Sequence, residues 1–178
     1  ALNDMLGNFN SAVEAAHELL GLQGHVIPVT LQKSDLLAEL VDGTILFGEK
    51  TIDLPRLNGD VKIKRVWLQP KVEINPVAKR ALREADMIVL GPGDLYTSIL
   101  PNLFVQGILP AIHRSKAKLV FVANIMTKHG ETDNFTVEDY VAVINRHLPR
   151  PLNTILYNTA PIPPSLIKKY ALEKAEPV

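Results

Sequence analysis

Residues 87–103 read MIVLGPGDLYTSILPNL, a four-residue apolar block that runs directly into Gly91-Pro92-Gly93 and then into Asp94, Tyr96, Thr97 and Ser98. A continuous Met-Ile-Val-Leu run stopped by glycine has the length and composition of a buried strand. The glycines let the backbone turn sharply or approach a neighbour closely. Thr97 or Ser98 is expected to cap the helix that follows, with Pro101 in its first turn, and Gly107 with Pro110 predicts a break of that helix into two pieces. Strand, glycine turn, helix is the repeating unit of an α/β fold.

The pattern extends in both directions. Upstream, Asn75 caps and Pro76 opens a helix with Val77, Ala81, Leu82 and Ala85 on one face, and Asp86 leads into the strand. Downstream, SKAKLVFVAN holds a second continuous apolar strand, Thr136 with Glu138 and Asp139 starts the helix VEDYVAVINRHL, and NTILYNT is a third strand. Apolar strands alternating with helices predict a mostly parallel sheet covered by helices on both faces. PIPPSLIKKYALEKAEPV predicts a Pro-rich turn, a short helix and a frayed end.

Residues 25–70 have a different texture. Ser11 and Glu14 form a capping box for a helix over 11–21, stopped by Gly21 and Gly24. HVIPVT then reads as a strand, DLLAELVDGTILFGEK as two strands joined at Asp42-Gly43 in a two-residue hairpin, and VKIKRVWLQP as a further strand. The expected organisation is one α/β domain over 1–178: a β-rich, hairpin-containing block at 25–70, an α/β core at 71–160, and a C-terminal turn and helix at 161–178. The chain opens at Ala1 in sequence that already reads as structured, so a piece of a longer protein is expected.

Composition narrows the function classes. With 19 basic and 19 acidic side chains and a pI near 7.2, no global field draws the chain to nucleic acid or to an anionic membrane, so any phosphate binding has to be local. There are no cysteines, which excludes disulfide frameworks, thiolate nucleophiles and zinc-thiolate sites. No apolar run approaches the roughly 20 residues of a membrane span, and no signal peptide is evident; a soluble, cytoplasmic protein is expected.

In an open parallel sheet, ligands collect at the carboxyl ends of the strands. The first polar strand end is residues 91–98. A helix start offers unpaired N–H groups and a partial positive charge that favour phosphate, so Gly91, Pro92, Gly93, Asp94, Tyr96, Thr97 and Ser98 are candidates for a phosphate cradle. The plainer alternative is a turn whose glycines serve packing and whose serine is only a cap. The second strand end is ANIMTKHGETDNF, residues 123–135, where Asn124 can read a base or sugar hydroxyl and Thr127 and Lys128 can meet phosphate. Met126, Glu131 and Thr132 complete the candidate set, and Glu131 with Asp133 could hold magnesium through water. Its plain alternative is a solvated loop ending at the Thr136 cap. If the two strands are neighbours, the loops meet at one sheet edge and form a single pocket.

Other features carry less. His129 has no partner at a telling spacing and reads as exposed; His17, His113 and His147 read as surface residues. Neither HExxH nor GxSxG occurs. Trp67 reads as core, and KIKR at 62–65 as the solvent face of a strand.

GPGDLYTSILPNLFVQGILPAI followed by VFVANIMTKHGETDNFTVEDYVAVINRHL resembles the YvcK family, the gluconeogenesis factors of bacteria, which is related to CofD, the 2-phospho-L-lactate transferase of deazaflavin cofactor synthesis. GNFNSAVEAAHELLGLQGHVIPVT and the hairpin after it are similar to the family's middle section. The resemblance implies a Rossmann-like fold that binds a nucleotide-sugar such as UDP-N-acetylglucosamine and links carbon metabolism to cell-wall synthesis and cell shape, with a cell-wall or regulatory protein as partner. It transfers only to residues 91–98 and 124–133. The family's Gly-rich first turn and an Asp-rich nucleotide-site segment lie upstream of anything here, which implies a missing N-terminal part of the site and a chain prone to self-association. Two rivals stand beside this regulatory binder. One is a magnesium-dependent transferase of a phospho-lactyl or related group, against which CofD-like turns tend to have Ser-Asn where Gly93-Asp94 stand. The other is a scaffold for cell-wall enzymes.

Overall fold

In chain order the computed structural model contains α1 (Phe9–Leu19), β1 (Asp35–Leu40), β2 (Ile45–Phe47), α2 (Glu49–Asp53), β3 (Ile63–Gln69), α3 (Pro76–Glu84) and β4 (Met87–Leu90). A π-helical turn (Leu95–Ile99) follows, then α4 (Leu100–Phe104), α5 (Ile108–Arg114), β5 (Lys118–Val122), α6 (Val137–His147), β6 (Thr154–Leu156) and α7 (Pro164–Ala171). The structure describes residues 7, 9–21, 23–53 and 61–178. The fold is mixed α/β: a parallel sheet in the order β4-β5-β6, flanked by helices, and an antiparallel sheet in the order β2-β1-β3.

The antiparallel sheet follows from the hairpin, with one adjustment. Leu37 pairs with Phe47 and Glu39 with Ile45, and the amide of Leu40 donates to the carbonyl of Thr44 at 2.9 Å. The loop is therefore three residues, Val41, Asp42 and Gly43, and only Gly43 needs a positive φ, at 88°. A type I turn closed by a left-handed glycine gives this loop, where an Asp-Gly of the two-residue kind would need positive φ at both residues. Lys64 and Arg65 do lie on the solvent face, each 2.6 Å from a different Glu39 oxygen. HVIPVT, in contrast, forms no strand. Pro28 cannot donate to a ladder, and the carbonyls of Pro28 and Val29 are instead taken by Asn75, through its side-chain amide at 3.0 Å and its backbone N–H at 2.8 Å. The same Asn75 accepts from Val77 N–H at 3.0 Å and so caps α3 as expected.

Three helical expectations need correction. The first helix begins at Phe9, two residues ahead of the expected Ser11 cap, although Gly21 ends it as expected at φ 59°. On α3 the face is rotated: Ala78 is buried, Leu82 and Ala85 are half-buried, and Val77 and Ala81 are exposed. After the glycine turn the helix starts earlier than expected, at Leu95. Asp94 is its N-cap residue, and Thr97 and Ser98 lie inside the first turn. Pro101 does stand in the first turn of α4, and Gly107, at φ 100°, separates α4 from α5.

The core is one cluster that runs from Leu36, Ala38 and Val66 of the antiparallel sheet to the parallel sheet and α4, α5 and α6. Leu119, Val120 and Phe121 of the central strand β5 are buried in succession, so both of its faces are covered. On β4 the pattern alternates, with Ile88 and Leu90 buried and Met87 and Val89 exposed; β6 is exposed throughout. Cover on both faces therefore holds for the central strand and not for its neighbours among the described residues. Opposite β5, Tyr140 and Ile144 of α6 and Leu95, Leu100 and Ile112 from the preceding helices are almost fully buried. Each such apolar side chain contributes roughly 1.5–3 kcal/mol. The C-terminal end is anchored rather than frayed: Thr127 N–H donates to the Glu176 carbonyl at 2.7 Å and Val178 N–H to that of Ile125 at 3.1 Å. Among the described residues no helix is long and apolar enough to cross a membrane.

Candidate functional site

β4 and β5 are adjacent and parallel, in register from Met87 opposite Lys118 to Leu90 opposite Phe121, so their carboxyl ends deliver the two predicted loops to one sheet edge. The first loop is shaped by sterics. Gly91 sits at φ 81°, and a Cβ there would lie 2.7 Å from the carbonyl oxygen of Val122 on the neighbouring strand. Gly93 has ordinary φ, and the nearest atom to a Cβ would be Ser98 Cβ at 3.4 Å. Gly91 thus serves strand-to-turn packing.

The helix start that follows is unusual in its cap. An Asp at the N-cap ordinarily accepts from the first amides of its helix, but the Asp94 carboxylate makes no such bond and points to Lys128 Nζ at 2.6 Å. As a result the amides of Leu95, Tyr96 and Thr97 engage no acceptor among the described residues. The turn closes with π geometry, Ile99 N–H reaching the Asp94 carbonyl at 2.9 Å. Such π turns recur at functional sites.

The second loop is held by its own side chains. Thr132 is its hub: its hydroxyl oxygen accepts from Lys128 N–H and from the buried Tyr140 hydroxyl, each at 2.9 Å. Asp133 accepts from Gly130 N–H at 2.7 Å, and its other oxygen lies 2.7 Å from His129 Nδ1. The His129 side chain is only 10% exposed, so the expectation of a free surface imidazole is replaced by a His–Asp pair. Both Asp133 oxygens are thus engaged within the loop. Two of the other histidines are also less exposed than expected: His17 is half-buried, and His147 packs edge-on against Phe104.

The loops are joined through charge. Lys128 Nζ contacts Asp53 of α2 as well as Asp94, and lies 3.5 Å from Glu131 Oε1. Thr97 Oγ1 donates to the same Glu131 oxygen at 3.4 Å. Glu131 is 5% exposed. Its burial, opposed by Lys128 and reinforced by Asp94, pushes its pKa up to about 7. Burial pulls Lys128 down, but hydrogen bonds to Asp53 and Asp94 outweigh it and hold the ammonium well above its ordinary value. Two buried acceptors in this region have no hydrogen-bond partner, Glu131 Oε2 and Asn124 Oδ1. Met126 and Thr127 are pinned beside the C-terminal segment, Met126 by a bridge to Pro177 and Thr127 through its hydroxyl, which accepts from Glu176 N–H at 2.9 Å.

The expected single pocket is instead two separate concavities. Gly91, Pro92, Gly93 and Ser98 line one of about 410 Å³, together with Asn102 and apolar groups such as Ile27, Val29 and Val89. Asp94, Met126, Thr127 and Lys128 line the other, of about 480 Å³, together with Asp53, His129, Tyr170 and Glu173. Tyr96, Thr97, Glu131 and Thr132 are buried between the two loops. Sequence reasoning missed Asp53, Tyr170 and Glu173. Asp53 is 75 residues from its partner Lys128 and carries no local signal. Tyr170 and Glu173 lie in the segment expected to fray. The His129–Asp133 pair did have a signal, an i,i+4 spacing, which a loop does not ordinarily honour.

The 2-phospho-L-lactate transferase CofD family matches over residues 1–178. A gluconeogenesis factor of Halalkalibacterium halodurans is 41% identical over 180 residues, covering 99% of this chain and 54% of that protein. The gluconeogenesis factor of Bacillus subtilis is 40% identical over 181 residues, covering 100% and 56%. A crystal structure of a UPF0052 family member from Bacillus halodurans matches with a TM-score of 0.91 at 41% identity, over 99% of this chain and 56% of that one. The chain spans about half the length of the curated relatives it matches.

Proposed function

The chain belongs to the 2-phospho-L-lactate transferase CofD family, and from that premise we propose that the sheet edge between β4 and β5 binds a nucleotide-sugar, with UDP-N-acetylglucosamine as the type ligand, in a regulatory role. The observation that carries this reading is the complementary set of unengaged groups. Among the described residues, donors without acceptors, the amides of Leu95, Tyr96 and Thr97, belong to the loop after β4, and acceptors without donors, Asn124 Oδ1 and Glu131 Oε2, to the loop after β5 at the same sheet edge. Phosphate oxygens satisfy the first kind and sugar or base N–H and O–H groups the second. Gly91, Pro92, Gly93 and Asp94 would frame the phosphates, and Asn124 and Met126 the nucleoside or sugar, on a loop that Thr127 and Thr132 hold in place. The name of the relatives, gluconeogenesis factor, fits a sensor in carbon metabolism, and a cell-wall precursor as ligand would couple it to wall synthesis and cell shape through a protein partner. The role is assigned to the cytoplasm, where such a precursor is made.

Charge argues for a cation beside the phosphates. Asp53, Asp94 and Glu131 each offer one oxygen within 4.8 Å of the others, and the hard carboxylate set suits magnesium. Glu131 Oε2, buried and unpaired, fits the same role. When bound, the ion would offset the repulsion between these carboxylates and a diphosphate. Lys128, now among the three, would then be released toward the ligand.

The test is calorimetric titration of UDP-N-acetylglucosamine into the chain, with and without magnesium, against Asn124→Ala. Saturable binding that weakens at least tenfold in the variant supports the reading. No binding at millimolar ligand by a folded chain overturns it for residues 1–178. A second reading, a CofD-like transferase, is favoured by one observation: a carboxyl group with a pKa near 7, Glu131, beside the Thr97 hydroxyl, which suits proton transfer near neutral pH. Release of product from a phosphoester donor, lost in Glu131→Gln, would select it.

A further inference from the structure

The opposite end of the same two strands carries a separate feature. α3 ends ahead of β4 and α5 ahead of β5, and the two helices pack together. Between them lies a recess of about 510 Å³ lined by Lys79, Arg80, Arg83 and Arg114, with Glu84 as its one carboxylate. All five side chains are exposed. Among the described residues none of the four cations has an ion-pair partner within 4.0 Å. Arg80 and Glu84 even have the one-turn spacing of a helix ion pair and do not form it.

Helix dipoles explain part of this. Arg83 and Arg114 stand in the last turns of their helices, where a cation offsets the partial negative charge of free carbonyls. Lys79 and Arg80 lie too early on α3 for that role. Lys79 and Arg83 are also an i,i+4 like-charge pair, which weakens a helix. One other exposed pair of cations is neutralised, Lys64 and Arg65 sharing Glu39, whereas the recess brings four cations together around one carboxylate. A concave, unpaired cluster in a chain of zero net charge is therefore a local cost to the free protein that an anion removes.

We propose that this recess is a second ligand site, for a small polyphosphate, at the amino ends of β4 and β5. Four cations against one carboxylate leave an excess of three positive charges. A single phosphate group carries about −1.5 to −2 near neutral pH, so two linked phosphates match the excess. Three of the four cations are arginines, whose planar forks take phosphate oxygens in pairs. Nucleic acid fits poorly, because no aromatic side chain lines the recess to stack a base. The proposal is independent of the nucleotide-sugar site at the other end of the strands.

Inorganic pyrophosphate is the probe. In a two-dimensional amide NMR titration of the whole chain at constant ionic strength, the amides of residues 79–84 and 114 shift saturably. The midpoint moves at least about tenfold higher in Arg80→Gln/Arg83→Gln and in Arg114→Gln, while Asn124→Ala leaves it unchanged. Thermal denaturation checks that the variants remain folded; because the side chains are exposed on two different helices, one of the two variants suffices. Shifts that rise linearly to about 10 mM, or a midpoint in the folded arginine variants equal to that of the unsubstituted chain, overturn the proposal. So does tighter binding of a hexaglutamate peptide than of pyrophosphate, which would make the recess a docking surface for an acidic protein segment.

Discussion

The two loops at the carboxyl end of the parallel sheet reach the same edge by opposite means. The loop after β4 takes its shape from a glycine that fits under a neighbouring carbonyl, and its polar groups are left over: three amides without acceptors among the described residues and a cap carboxylate diverted to Lys128. The loop after β5 spends nearly all its polar groups on itself through Thr132, Asp133 and the C-terminal segment, and keeps two buried acceptors unpaired. A loop shaped by backbone sterics can present its hydrogen-bonding groups to a ligand. A loop shaped by side-chain hydrogen bonds offers a ligand only what its own network does not use. Substitutions should therefore act through strain in the first loop and through lost hydrogen bonds or charge in the second.

The largest effect is expected at Gly91. Alanine there must hold a φ of 81° with its Cβ 2.7 Å from Val122 O, neither of which the strand can relieve by a side-chain shift. Left-handed strain and overpacking together destabilise by about 4 kcal/mol. Gly93→Ala meets nothing closer than 3.4 Å and should stay within about 1 kcal/mol. Urea denaturation of the two variants separates them; equal losses would mean that sterics do not shape this loop.

In the second loop the largest effect is electrostatic and depends on pH. The folded chain raises the Glu131 pKa from 4.5 to about 7, chiefly by burial. A raised folded value means that the native state binds the proton more tightly than the unfolded chain does. The contribution is thus fully present below about pH 4.5 and is lost as pH rises through about 7. The loss amounts to about 3 kcal/mol, since each pKa unit is 1.36 kcal/mol. Glu131→Gln cannot ionise and should lack this slope, so its stability gains on that of the parent chain between pH 5 and pH 8. Parallel stability curves would show that Glu131 is not buried as a titrating group.

Tyr140→Phe should have a smaller effect. It removes one of the two donors to the Thr132 hydroxyl and leaves the Lys128 amide in place, so about 1 kcal/mol is expected. Loss of protection in hydrogen exchange at Lys128 would show that the hub acts as a unit. An unchanged stability would make Tyr140 a purely apolar support for Phe121 and Phe135.

The same contrast governs what could be read from the sequence. Local chemistry was legible: Asn75-Pro76, the Thr136–Asp139 capping box, the Asp-Gly hairpin and the apolar runs of β4 and β5 all follow from residues close in the chain. The sequence left the neighbouring of β4 and β5 as a condition, and their parallel pairing puts both candidate loops on one edge. Non-local pairing was not legible. Nothing in GEKTID announces that Asp53 meets Lys128, and nothing near Asp94 announces that its carboxylate leaves the helix start it should cap. HVIPVT reads as a strand until Asn75 takes its carbonyls. The frayed end was expected from proline and charge, but the terminal residues are held by a backbone pairing with residues 125–127 that has no sequence signature.

The smallest effect is expected where the sequence placed a cap. If Ser98 opened the helix, alanine there would cost about 1 kcal/mol. In the structure Asp94 holds the N-cap position, Ser98 is exposed within the first turn, and its backbone carbonyl, which alanine retains, accepts from Asn102 Nδ2 at 2.6 Å. Ser98→Ala should therefore change stability by less than about 0.5 kcal/mol. It should also leave UDP-sugar affinity within about threefold, because the groups assigned to the phosphates in this loop are the backbone amides of Leu95, Tyr96 and Thr97, which no side-chain change at position 98 removes. A larger loss of affinity at unchanged stability would move phosphate recognition from the backbone to a hydroxyl. The two loops would then bind by the same means, and the contrast between them would survive only in how each is folded.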